Sequence, residues 1–164
     1  AAMDAVDHCG LASISQLMAL PTANFESSRF VEAFSELDIR RKNNIRSPRI
    51  RIAFEDESSD DVFILQFLMR AGVLDEDTVV LRRRSGGELM HVTRSGVLKI
   101  LPDAVVTPPI LRLFIQFCDD SKSVIVRYGF KLGSCSFCGR ELSDPRSLRA
   151  GYGKTCAEKQ GYDY

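Results

Sequence analysis

Three cysteines near the end of this chain have the spacing of metal ligands. They are Cys135-Ser-Phe-Cys138, followed at once by Gly139-Arg140, and then Cys156. A Cys-x-x-Cys pair ahead of Gly is the form of a zinc knuckle. The tight turn lets two thiolates and nearby backbone N–H groups face one ion, and Gly139 supplies a left-handed position that the turn can need. The expected cofactor is a structural Zn2+ held by Cys135, Cys138 and Cys156. A tetrahedral site wants a fourth ligand. Asp144, inside the loop, is the first candidate, with Asp163, His91 and Cys118 as alternatives. Each also has a plainer reading: Asp144-Pro145 as a turn opener, Cys118 behind Phe117 as a core thiol, His91 as a mid-strand residue. A redox Cys-x-x-Cys would follow a strand and open a helix, and that pattern is not found here.

A second chemistry is suggested by charge. Arg40, Arg41, Lys42, Arg46, Arg49 and Arg51 fall in one stretch with no acid among them. Several such cations can hold phosphates with salt-sensitive affinity and no base reading. Arg82-Arg83-Arg84 and the tail residues Arg140, Arg146, Arg149 and Lys154 extend the set, and Tyr152 offers a stacking face. Against this stands the acidic patch Glu55, Asp56, Glu57, Asp60 and Asp61, which follows directly and can neutralise the run within the fold.

Catalytic motifs are not found. Gly86-Gly87 lacks the Gly-Lys-Ser/Thr continuation of a phosphate loop, and Gly151-Tyr-Gly-Lys-Thr155 lacks the preceding Gly. No nucleophile elbow or metalloprotease helix occurs. The two histidines, His8 and His91, leave little for a triad. No catalytic residue is expected, and a binding role is favoured over an enzyme.

The elements that must position these residues read as an α+β protein. At 164 residues, with 45% hydrophobic and 27% charged content, the chain can bury one core plus a small stapled appendage. Its formal net charge is zero, so nothing global steers it to nucleic acid or membranes. No apolar run approaches a bilayer span. Five cysteines, an odd number with one tight pair, argue for metal binding in a reducing compartment. The chain therefore reads as soluble and cytoplasmic, with Met3 as the expected natural start after Ala1-Ala2.

Leu11 to Leu20 predicts a helix stopped by Pro21, and Ser27 or Ser28 opens a second helix carrying Phe30, Val31, Phe34 and Leu37. Arg49 to Phe54 alternates as a strand. Val62 to Met69 is apolar on all sides. Ser58 or Ser59 as cap, two Asp in the first turn and Gly72 just past the end predict a buried helix there rather than a buried strand. Residues 78–101 predict a three-stranded meander with Gly in each turn. Thr107-Pro108-Pro109 and Asp119-Asp120-Ser121 each start a helix, the second ending at Gly129 or Gly133. The expected division is a body over 1–130 and a zinc-binding tail over 131–164.

The stretch from Tyr128 through Cys135-Ser-Phe-Cys138-Gly139-Arg140-Glu-Leu142-Ser-Asp144-Pro145-Arg146-Ser147 to Gly151-Tyr152-Gly153-Lys154-Thr-Cys156 resembles a family of small zinc-knuckle domains of unknown function. These are common in proteins of bacteriophage and mobile elements. Members look like Cys-x-x-Cys-Gly-Arg-x-Leu-x-Asp-x-x-Ser, then Gly-x-Gly-Pro-x-Cys; here Lys154 stands where Pro is usual. The resemblance implies Cys135, Cys138 and Cys156 as ligands and a phage origin. The function expected is a small phage-like, zinc-stabilised protein that contacts nucleic acid or a nucleoprotein complex. The alternative is an inhibitor that binds a host defence or transcription protein.

Overall fold

The computed structural model of the protein describes residues 24–42, 45, 47–56, 59–69 and 76–160. The expected helix over 11–20 lies outside them. The chain is α+β, built on a six-stranded antiparallel sheet in the order β1-β6-β5-β4-β3-β2. The strands are β1 (Asn24–Glu26), β2 (Arg49–Ala53), β3 (Val62–Leu68), β4 (Thr78–Arg83), β5 (Glu88–Thr93) and β6 (Val97–Ile100). Thus β2 to β6 form one continuous meander, and β1 returns to pair with β6. The expected three-stranded meander over 78–101 is present as β4, β5 and β6, and its last turn uses Gly96 at φ +91°.

Val62–Leu68 is a strand, which corrects the helix expected there. Phe63, Leu65 and Phe67 face the main core, whereas Val62 packs on the other face with Ala53, Tyr128 and Leu132. With both faces covered, a strand shows the same unbroken apolar run as a buried helix. The side-chain types decide it: Val, Ile and Phe suit a pleated surface. The serine read as a helix cap instead braces the incoming loop, where the Asp61 N–H donates to Ser59 Oγ.

The helix expected from Ser27 begins with Ser27 as N-cap but is broken. It runs as α1 (Ser28–Val31), a 3-10 turn (Glu32–Phe34) and α2 (Ser35–Lys42). Phe30, Phe34 and Leu37 are buried, as their spacing predicts. Phe34 meets Phe67 edge-on at 6.0 Å, and Phe30 packs on Phe114 at 6.1 Å. Arg94, from the β5–β6 turn, fastens α2 to the sheet through both oxygens of Asp38.

Then follow α3 (Pro108–Asp119) and α4 (Ser121–Leu132). Thr107 and Asp120 are their N-caps, and Gly133, left-handed at φ +62°, closes α4. On α3, Ile110, Leu111, Leu113, Phe114, Phe117 and Cys118 are buried. The chain ends in α5 (Pro145–Ala150) and α6 (Lys154–Gln160). Helix α4 runs straight through the expected 130/131 boundary. No helix among the described residues is long and apolar enough to cross a membrane.

Candidate metal centre

Gly133 turns the chain out of α4 into a short hairpin. The Leu142 N–H donates to Gly133 O at 2.7 Å, and Ser134 bridges Glu141. The Cys135 N–H donates to Arg140 O, and the Gly139 N–H donates back to Cys135 O. Gly139 sits at φ +77°, the left-handed position expected of it. From the hairpin the chain enters α5. Pro145 is at its first turn, and the Asp144 carboxylate caps it by accepting the Arg146 N–H at 2.8 Å. Gly151, left-handed at φ +86°, ends α5, and α6 begins three residues later with Cys156 in its first turn.

This path brings the three sulphur atoms together. Cys135, Cys138 and Cys156 offer Sγ atoms that all lie within 4.8 Å of one another. Cys135 is buried, Cys156 half-buried and Cys138 exposed. Cys135 Sγ accepts the Phe137 N–H at 3.4 Å. Its thiol is held down to about 5, first by the hydrogen bond from Cys156, against the opposing effect of burial, and then by the N–H groups of Cys138, Gly153 and Phe137. The Cys156 thiol is pushed up, because it keeps the proton it shares with Cys135 and because it is partly buried. One sulphur is thus prepared as a thiolate by backbone dipoles, with two further thiols in coordinating reach. Thiolate donors turned to one point suit a thiophilic ion such as Zn2+.

Asp144 lines the same cavity, about 330 Å3, together with Ser147, Lys154 and Lys159. Among the described residues the cluster itself contains only the three cysteines. The structure places Asp144 as a helix cap and does not bring its carboxylate into the sulphur group. His91 is on β5, paired with Glu88 at 3.0 Å. Cys118 is a core thiol on α3, pushed far up by burial. Asp163 lies outside the described residues.

The basic run is divided by the fold. Arg40 is buried, its guanidinium 4.5 Å from the centroid of the Phe137 ring. Arg51 donates to Phe137 O from its side chain, and its backbone N–H donates to Ser136 O at 2.7 Å. Both residues therefore fasten the knuckle to the body. Arg41 stacks over Phe67. Lys42 and Arg49 are exposed, and Arg46 lies outside the described residues. Tyr152, read as a stacking face, is half-buried with its ring 5.5 Å from that of Phe137.

The sequence reading missed that Phe137, the apolar residue between the cysteines, is what the arginines grip. The signal available was a buried-type residue inside a polar knuckle. We expect Arg51→Ala to lower stability by about 2 kcal/mol, the worth of a charged hydrogen bond, with the loss read by urea denaturation of the metal-loaded protein. An unchanged midpoint would remove Arg51 from this role.

A family model described as a family of unknown function (DUF6011) matches residues 126–161. That stretch begins inside α4 and ends past Cys156, so it includes every residue of the sulphur cluster. Lys154 is the first residue of α6. Searches of curated proteins and of solved structures gave no match. Over residues 126–161 the chain is therefore similar to a family of unknown function, and its three clustered cysteines are compatible with a zinc site.

Proposed function

We propose that the protein is a zinc-stabilised nucleic-acid-binding protein. In this reading residues 131–164 form a metal-held unit on the 1–130 body, with Zn2+ on Cys135, Cys138 and Cys156 and Asp144 supporting the loop as its cap. The observation that carries the binding half is charge asymmetry. The chain as a whole is neutral, yet residues 126–161 hold seven Lys and Arg against three Asp and Glu. Arg140, Arg149, Lys154 and Lys159 are all exposed, as are Lys42 and Arg49. Among the described residues none of these six forms an ion pair, in contrast to Arg29, Arg41, Arg83, Arg94 and Arg127. Cations held at the surface without internal partners are free to take phosphates. The tail's resemblance to phage and mobile-element domains supports a nucleic-acid setting.

The test is charge reversal at two exposed sites away from the cysteines, Arg49→Glu with Arg149→Glu. Fluorescence anisotropy against a labelled oligonucleotide at several salt concentrations should show affinity lowered by about tenfold or more. The salt slope should become shallower by roughly 0.7 to 0.9 per lost phosphate contact. Zinc content should be unchanged. Equal affinity and equal slope would dismiss the reading.

A further inference from the structure

Phe130 is 75% exposed, more than any other large apolar side chain among the described residues. All other phenylalanines are buried or half-buried. Its position is fixed by rigid neighbours. One residue earlier on α4, Gly129 lies under Gly151, where a methyl group would come within 2.4 Å of the Gly151 Cα. One turn later, Ser134 bridges Glu141 on the return arm of the knuckle. One turn earlier, Val126 is also partly exposed, at 38%. The chain neighbours of Phe130 thus contact the end of α5, which carries exposed Arg149, and the knuckle arm, which carries exposed Arg140.

We infer that Phe130 is a stacking platform for a base of single-stranded nucleic acid, with Arg140 and Arg149 taking the flanking phosphates. This rests on the phosphate-binding reading above and adds to it the strandedness of the ligand. The surplus of cations over residues 126–161 supplies the charge complement. An aromatic ring beside cations is the general device for holding single strands, because every base has a π-face and only an unpaired base can present it. In a duplex the bases are already stacked on one another, so the ring gains little there.

The chain contains no tryptophan, so Phe130→Trp introduces the only indole and reports directly on stacking. The full-length, zinc-loaded protein is titrated with oligothymidylate and with the same strand annealed to oligoadenylate. Stacking predicts that emission of the Phe130→Trp protein is quenched by the single strand and little changed by the duplex. It also predicts that Phe130→Ala weakens single-strand binding about tenfold, with salt slope, zinc content and melting temperature unchanged. If Phe130→Ala binds like the parent, or weakens duplex and single strand equally, stacking is overturned while the phosphate reading survives. If the parent binds neither oligonucleotide, both fall. A protein that binds the parent, competes with the oligonucleotide and is lost on Phe130→Ala while single-strand affinity holds would assign the ring to a protein interface.

Discussion

Cys138→Ala is expected to abolish tight metal binding and to cost more than about 4 kcal/mol in stability, the range in which loss of a structural metal falls. Cys138 is the informative position because it is exposed, so its removal leaves no cavity. Cys135→Ala would remove a sulphur that is also part of the hydrophobic core, and would confuse ligation with packing. The loss should spread beyond the knuckle, since Ser136 O accepts the Arg51 N–H of β2 and Phe137 packs in the main core. Hydrogen exchange should therefore accelerate over residues 133–160 and at the Arg51 amide, in the variant and in the parent treated with chelator.

Metal uptake must displace the proton that Cys156 retains beside the Cys135 thiolate, so affinity should fall as the pH falls. Native mass spectrometry should show one zinc per chain in the parent and none in Cys138→Ala. A parent protein that melts identically with and without chelator, with full protection over 133–160, would refute the metal centre.

The sulphur cluster was legible in the sequence because its geometry is local. The Cys-x-x-Cys turn, the left-handed Gly139 and the caps of α3 and α4 are each specified by a few adjacent residues. The meander over 78–101 was legible for the same reason, through its glycine turns. What could not be read depends on distant partners. Val62–Leu68 gives a helix or a strand until Tyr128 and Leu132 are known to cover the second face of β3. β1 is three residues long, too short for any periodicity, and exists because β6 offers it an edge. Arg40 and Arg51 read as phosphate ligands alongside Arg49. Only the position of Phe137, far along the chain, makes struts of the first two and leaves the third exposed. Asp144 reads as a fourth-ligand candidate or as a turn opener before Pro145, and its carboxylate in fact caps α5.

Gly151→Ala should be among the most damaging single methyls that can be added at the described glycines. The added Cβ would lie 2.5 Å from Ile125 O, 2.9 Å from its carbonyl carbon and 2.9 Å from the Val126 Cα, all backbone atoms of α4 that cannot rotate away. The residue is also left-handed, at φ +86°, where a side chain costs a further 1 kcal/mol or so. Overpacking of this kind costs about 1 to 3 kcal/mol alone, so a total of about 2 to 4 kcal/mol is expected.

The consequence should reach the metal. Gly151 O accepts the buried Ser136 N–H, and the glycine contact with Gly129 sets how closely α5 lies on α4. That spacing is expected to set where α6 starts, and hence whether Cys156 Sγ meets Cys135 Sγ. Gly133→Ala is the control: it too is left-handed, at φ +62°, but nothing lies within 4 Å of the added methyl. It should cost only the backbone strain, about 1 kcal/mol, and leave zinc affinity intact. Melting temperatures and competition with a zinc chelator separate the two effects. Equal losses in both variants, with equal zinc affinity, would mean that the Gly129–Gly151 contact does not set the position of Cys156.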